Sequence, residues 1–196
     1  MVTMRGCFVH PKALVEKGAV IGSGSRVWAF AHILKGAVVG RACNICDYVF
    51  IEGGAVLGDH VTVKNGVQIY EGVEAEDDVF LGPGCAFTND LYPRAGLRRA
   101  KESWFRKTRI RKGATIGAGA VILCGLTVGR YAFVAAGALV TRDVPAHALV
   151  LGAPARFHAW ICRCGQPLAL KKGKALCPAC GLGFRKDKKG RLLVIG

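Results

Sequence analysis

Large apolar residues recur along this chain at every sixth position. The step meets Val9, Val15, Ile21, Val27, Ile33, Val39, Ile45, Ile51, Leu57, Val63, Ile69, Ala75, Leu81 and Phe87, and among these only Ala75 is small. Four residues after each step comes a small or β-branched residue, as at Ala13, Ala19, Ser25, Ala31 and Ala37. The rhythm stops after Phe87, restarts at Ile110 and continues through Ile116, Ile122, Val128 and Val134 to Val140. An amphipathic helix calls for apolar spacings of three and four, and a half-buried strand for strict alternation. A period of six is neither, and a fixed period marks a repeating architecture. Three hexads close a triangular turn whose sides are short strands. The large aliphatic residue fills the interior and the small one sits near the bend. The pattern predicts an all-β chain built as a parallel β-helix of about seven turns.

The resemblance carried by these hexads is to the left-handed parallel β-helix of the hexapeptide-repeat proteins. In such a prism, residues one turn apart stack in a column with the strand spacing of a sheet, about 4.8 Å. Gly53, Glu71 and Asn89 then share a column that continues, beyond the interruption, with Cys124 and Arg142. The segment 90–109 reads as a loop that leaves the prism after Asn89 and returns at Ile110. Ala118 and Ala136 stack on a neighbouring face. Loops longer than about 12–15 residues inside a compact domain are usually functional or disordered. Tyr92, Trp104 and Phe105 argue for order and for packing on the prism or on a second subunit. The interior phase puts Cys43 and Cys85 inside and Cys46 outside. Outward Trp28 and Phe30 are candidates for a contact between copies, since prisms of this kind commonly meet face to face as trimers.

Charge divides the chain further. Its net +15 is distributed as −2 over residues 1–89, +7 over 90–112, +1 over 113–150 and +9 over 151–196. Two basic appendages on an average prism attract anions, whether nucleic acid, lipid or phosphorylated small molecules. No apolar run is long enough for a membrane helix, and the N-terminal residues lack the series of a signal peptide. With nine cysteines and no export signal, the cytoplasm is the expected compartment, with thiols reduced or metal-bound. From residue 159 the six-residue rhythm is gone. Cys162 and Cys164, then Cys177 and Cys180, form two close pairs, each followed by glycine, and read as a four-thiolate structural zinc site. A tail of this length has too little core to fold without a staple. The chain thus divides into a β-helix over 1–158 and a zinc-ribbon-like tail over 159–196.

Many hexapeptide-repeat proteins are acyltransferases using acetyl-CoA, and residues 113–156, ending VTRDVPAHALVLGAPAR, resemble their acyl-CoA half. The resemblance implies that Gly117, Ala118, Ala135 and Ala136 offer backbone to the pantetheine arm. Thr141, Arg142 and Arg156 would lie nearer the nucleotide end, where Arg suits phosphate. The runs VHPKALVEKGAVIGSGSRVWAFAHI, VQIYEGVEAEDDVFLGPGCAFTNDLYPRA and FRKTRIRKGATIGAGAVILCG resemble the WbpD/WlbB-like N-acetyltransferases of surface-polysaccharide synthesis. That branch acetylates the 3-amino group of UDP-2-acetamido-3-amino-2,3-dideoxy-glucuronate. By resemblance the acceptor site would use Tyr70, Glu71, Thr88, Asn89 and Arg94. His32 matches a family position too, about three turns or 14 Å below the level of Asn89.

Acyl transfer from a thioester needs a nucleophile, a place for the developing oxyanion and removal of a proton. A hydroxyl acceptor needs a placed base, usually His. Asn89 is followed by Asp90, and no His occurs between His60 and His147, which favours an amine acceptor. Asn89 would orient the amine. The proton would go to the departing CoA sulfur, to Glu71 or to Asp90. Asn89 could instead cap the first turn of the loop, a place that suits Asn. A γ-type carbonic anhydrase, which shares the prism, needs three His at one zinc, and the five His here are not so spaced. In a second class of reading, the prism is a scaffold whose basic zinc ribbon holds nucleic acid or a protein partner. The run RKDKKGR fits electrostatically, but Phe184 is the sole nearby aromatic for base stacking, which disfavours nucleic acid.

Overall fold

The computed structural model describes residues 6–97 and 100–195. Residues 1–5, the start of the N-terminal segment discussed above, and Arg98 and Arg99 of the basic loop lie outside the described residues. The repeating strands are two or three residues long and lie in three sheets of ten, seven and six strands, the first of which also takes in three strands from beyond Val140. Each strand pairs in parallel with the strand one turn away. On the first face Arg26 pairs with Asn44 and Thr62 with Phe80; on the second, His32 with Phe50 and Gln68 with Ala86; on the third, Val38 with Val56. Successive strands move from face to face, so the chain winds as a triangular prism.

The six-residue rhythm is the interior of that prism. Val27, Ile33, Ile45, Ile51, Val63, Ile69, Leu81, Ile110, Ile116 and Ile122 are fully buried, as are the small residues Ala31, Ala37, Ala55 and Ala120. Bends recur on the same period with left-handed backbone, mostly at glycine but also at Phe30, Tyr48 and Tyr131. Cys43 and Cys85 are interior as expected, and burial pushes the Cys85 thiol up to about 12. Cys46 departs from the expectation. It is 7% exposed, because it sits at a bend beneath the Asn44 amide, which also accepts from the Trp28 indole at 2.8 Å.

After Val140 the first face receives a last parallel strand, Ala148–Leu151, and then Arg156–Ile161 runs back antiparallel to it. Pro167–Leu168 adds to the same sheet. The boundary expected at 158–159 therefore falls inside a continuous strand. A separate three-stranded sheet, Lys174–Leu176, Gly183–Lys186 and Leu192–Ile195, completes the tail. Its small core of Leu168, Phe184 and Leu192 shares Trp160 with the prism core. His147 lies at the junction. It is buried, its ring stacks on Tyr131 and meets Phe184 edge-on, and its Nδ1 lies 3.1 Å from the Ile161 carbonyl.

Candidate active site

The register places one column along the edge between the second and third faces. Ile33, Ile51, Ile69, Phe87, Ile122 and Val140 stack in turn, so Lys35, Gly53, Glu71, Asn89, Cys124 and Arg142, each two residues later, follow one another up that edge. Phe87 anchors the exit by filling the interior at 2% exposure. Asp90 Oδ1 then accepts the Tyr92 N–H at 2.9 Å and starts the turn. The Asn89 carbonyl accepts the Arg106 N–H at 3.3 Å, and Asp90 bridges antiparallel to Phe105, so the excursion closes on itself at its root. A single helical turn, Lys101–Trp104, lies inside it.

Glu71, one turn below Asn89, forms an ion pair with Lys101, whose ammonium also lies 4.9 Å from the Phe105 ring. Phe105 covers Gly72 so closely that a Cβ there would come within 2.5 Å of the ring, so only glycine admits this packing. The chain then re-enters the third face as Thr108–Ile110, paired with Val73–Ala75, as the restart at Ile110 predicts. Lys107 and Arg109 reach Glu74 at 2.8 and 3.3 Å, Arg111 reaches Glu76 at 2.5 Å, and Lys112 lies 3.4 Å from both Asp77 and Asp78. Lys107 is the main cause holding Glu74 below the usual carboxylate range. At Glu76 burial works the other way, but the Lys112 N–H and the Arg111 guanidinium outweigh it and the carboxyl is also lowered. The positive charge expected to steer polyanions is thus largely spent on the acidic strand beneath it. The signal was in the sequence: EGVEAEDD, residues 71–78, is in register with the basic return.

The other expected acceptor residues are not all gathered here. Tyr70 is beside Glu71, its ring 6.3 Å from that of Phe50. Thr88 Oγ1 accepts the Cys124 N–H at 2.9 Å, a bond between consecutive turns. Arg94 is exposed, with its guanidinium on the carbonyl of Pro93. His32 is not brought to Asn89. It pairs with Phe50, then Gln68 and Ala86 follow, so three strand spacings separate it from the Asn89 turn. Its Nε2 lies 3.2 Å from Glu16.

The small-residue stripe occupies a different edge. Gly117 and Ala118 follow the first-face strand Thr115–Ile116, and Ala135 and Ala136 follow Phe133–Val134, so the stripe runs between the first and second faces. A Cβ on Gly117 would meet the Ala136 nitrogen at 2.5 Å, so successive turns touch backbone to backbone. Ala118 and Ala136 are exposed. One hexad, at most about 20 Å of extended chain, separates this edge from the Asn89 column. Thr141, Arg142 and Arg156 do come together. With Asp143, Val144 and Phe157 among others they line a cavity of about 310 Å³ at the upper end of the prism, walled on one side by the antiparallel return strand.

No family model matches the chain. It is 47% identical over 179 residues, 91% of each chain, to dTDP-3-amino-3,6-dideoxy-alpha-D-galactopyranose 3-N-acetyltransferase of Aneurinibacillus thermoaerophilus. This chain belongs to the hexapeptide-repeat sugar N-acetyltransferases. The acetyltransferase is also similar to the solved acetyltransferase domain of PglB from Neisseria gonorrhoeae in complex with acetyl coenzyme A, at 27% identity and TM-score 0.52, over 78% of this chain and 58% of that one. A perosamine N-acetyltransferase from Caulobacter crescentus, in complex with CoA and GDP-perosamine, matches at TM-score 0.56 and 21% identity over 78% and 56%, a likeness of fold. The chain spans a little over half the length of these two solved chains. The fold is the left-handed parallel β-helix expected from the hexads.

At the tail of this acetyltransferase the four predicted cysteines converge. The sulfur atoms of Cys162, Cys164, Cys177 and Cys180 all lie within 4.8 Å of one another. Cys162–Cys180 and Cys164–Cys177 are each 3.5 Å apart. A disulfide needs about 2.05 Å, whereas sulfur ligands at about 2.3 Å from a tetrahedral zinc stand a little under 4 Å apart. The four thiols therefore fit a closed tetrathiolate site. Burial pushes the Cys162 thiol up to about 12. At Cys177 burial acts in the same direction, but the N–H groups of Cys180 and Ala179 and the neighbouring thiols outweigh it and bring the group down to about 6.

Proposed function

We propose that this acetyltransferase moves the acetyl group of acetyl-CoA onto the 3-amino group of a nucleotide-linked 3-amino-3-deoxy sugar, with a dTDP-linked 3-amino-3,6-dideoxyhexose as the preferred acceptor. The observation that carries the reading is the 47% identity, over nearly the whole chain, to an enzyme named for that chemistry. The expected UDP-linked 2-acetamido-3-amino-glucuronate is the second candidate, because the relative is named for a dTDP-linked sugar.

In this mechanism the neutral amine attacks the thioester carbonyl carbon, the carbon–sulfur bond breaks, and the amine proton leaves with the CoA sulfur or to Glu71. Asn89 orients the amine, while Lys101 fixes the Glu71 carboxylate beneath it. Tyr70 and Thr88 border the acceptor, and Arg94 approaches from the loop. Gly117, Ala118, Ala135 and Ala136 offer bare backbone to the pantetheine arm. Thr141, Arg142 and Arg156 hold CoA phosphate in the upper cavity. Since the small-residue edge and the Asn89 edge are separated by the second face, a homotrimer that sets one chain's stripe against another's Asn89 completes the site. The Cys162, Cys164, Cys177 and Cys180 cluster holds a structural zinc.

The test is release of CoA thiol by the purified protein with acetyl-CoA, comparing the dTDP-linked 3-amino-3,6-dideoxyhexoses with the UDP-linked 3-amino-glucuronate. Turnover on the dTDP sugars supports the reading. Turnover on the uronate alone reinstates the second candidate, and none on any amino sugar removes both.

A further inference from the structure

The small sheet of the tail turns an apolar side to solvent. In its antiparallel register Ala175, Phe184 and Val194 lie opposite one another, as do Lys186 and Leu192, on the side where Phe184 and Leu192 are buried. The other side carries two cross-strand rows, Leu176–Gly183–Ile195 and Lys174–Arg185–Leu193. An antiparallel sheet with one face in water ordinarily points polar residues outward there. Here Leu176 is 71% exposed, and Leu193 and Ile195 are exposed beside it. Gly183 leaves the middle of its row bare, and a Cβ there would meet the Ile195 carbonyl oxygen at 2.9 Å. Leu176, Gly183 and Ile195 border an open groove of about 480 Å³, and Lys171 and Lys174 stand at it.

The charge around this face has one sign. Residues 151–196 hold ten Lys and Arg and a single acid, Asp187, which Arg191 takes at 2.8 Å. Lys174 and Arg185 belong to the apolar side itself, and Lys172, Lys188 and Lys189 are exposed in the flanking turns. A zinc tetrathiolate is itself anionic and offsets only part of this charge. That distribution discriminates among occupants. A second copy would bring like charges together. Nucleic acid calls for exposed rings on which bases stack, and the one aromatic residue of this sheet, Phe184, is inside. An anionic bilayer meets both features at once, with an apolar interior for aliphatic side chains and phosphates for the cations around them. Inserted apolar groups joined to a polybasic patch make the two-part anchor that stable attachment to such a surface requires.

We propose that the outer face of the tail sheet docks this acetyltransferase on an anionic lipid bilayer. Leu176, Leu193 and Ile195 enter the headgroup boundary, and Lys171, Lys174 and Arg185 lie on lipid phosphates. Cosedimentation of the full chain with vesicles tests it, comparing phosphatidylcholine alone with phosphatidylcholine containing phosphatidylglycerol. Wild type sediments with the mixed vesicles and not with the neutral ones, and added salt releases it. Lys174→Ala weakens the partition about five-fold, the share of one cation near such a surface. Leu193→Ser combined with Ile195→Ser weakens it about ten-fold or more at unchanged charge, as lost burial of large aliphatic side chains implies. Both variants keep the wild-type Tm and acetyl-transfer rate in solution, because the substitutions touch neither the Asn89 edge nor the cavity of Arg142. Failure of wild type to sediment with the mixed vesicles overturns the proposal. So does sedimentation that the double serine variant leaves unchanged, since charge attraction without insertion would then hold the protein. So does a smaller assembly of that variant in gel filtration with unaltered vesicle binding, which would make the face a contact between copies. Displacement of the vesicles by a DNA duplex, in a manner that Lys174→Ala and the double serine variant both reduce, would assign the face to nucleic acid. Sedimentation needs neither substrate, so a failure of acetyl transfer is a separate outcome.

Discussion

Asn89 is set by its neighbours more than by its own side chain. Phe87 pins the turn from inside, the Asn89 carbonyl is taken by the Arg106 N–H, and the side chain is left half-buried at the loop root. Removal of one group that stabilises charge in the transition state typically costs about 10²–10³ in kcat, and Asn89→Ala is expected to fall in that range with KM for acetyl-CoA unchanged. A fall in stability without a fall in kcat would make Asn89 a turn cap. Thr108 gives an independent test of the interior. Its hydroxyl is buried without a hydrogen-bond partner, in a slot that Val73 fills one turn below. Ser25, also interior, instead donates to the Gly40 carbonyl at 2.8 Å and accepts the Cys43 N–H at 2.9 Å. An unmet buried hydroxyl costs on the order of 1–3 kcal/mol, so Thr108→Val is expected to raise the unfolding free energy in denaturant titration. The interior residues were legible one by one because a six-residue period leaves each a single slot. His32 entered as a site expectation only through resemblance, and the register of the turns sets it three strand spacings from the Asn89 turn.

At the scale of elements, the loop and the tail are attached by different physics. The loop is held by the Lys101–Glu71 pair, by Phe105 on Gly72 and by a run of ion pairs to the acidic strand. Gly72→Ala displaces Phe105 and is expected to raise KM for the sugar nucleotide several-fold with little change in KM for acetyl-CoA, read in steady-state kinetics. The sequence marked the loop by its break in rhythm and its charge. It did not reveal that the charge is answered locally, because that depends on which strand lies beneath. The tail is held by His147 between Tyr131 and Phe184. Burial lowers the His147 pKa from its ordinary 6.5, so the fold prefers the neutral ring. Its contribution to stability is complete above about pH 6.5 and is lost as pH falls from there through the depressed folded value. Thermal unfolding followed from neutral pH downward should show a steeper loss for wild type than for His147→Phe.

At the scale of the whole molecule, a prism, a docked loop and a cysteine-bearing tail divide the chain. Metal analysis is expected to find one zinc per chain, and a chelator should lower Tm by loosening the tail, which continues from the return strand whose Arg156 and Phe157 line the cavity. The separation of the small-residue edge from the Asn89 edge predicts complementation between copies. Two inactive variants, Asn89→Ala and Ala118→Trp, should recover part of the activity when refolded together and none when mixed only as intact assemblies. The hexads made the fold legible across most of the chain, and two cysteine pairs made the tail site legible. Which edges would meet was not, because contact between copies is a property of an assembly and of no single turn. The most direct measurement is acetyl transfer itself: CoA-thiol release with acetyl-CoA and a dTDP-linked 3-amino-3,6-dideoxyhexose, beside the UDP-linked 3-amino-glucuronate. Turnover on the dTDP sugar, with kcat lost in Asn89→Ala, is the expected result. Absence of turnover on every amino-sugar nucleotide, from a folded and zinc-loaded protein, would contradict it.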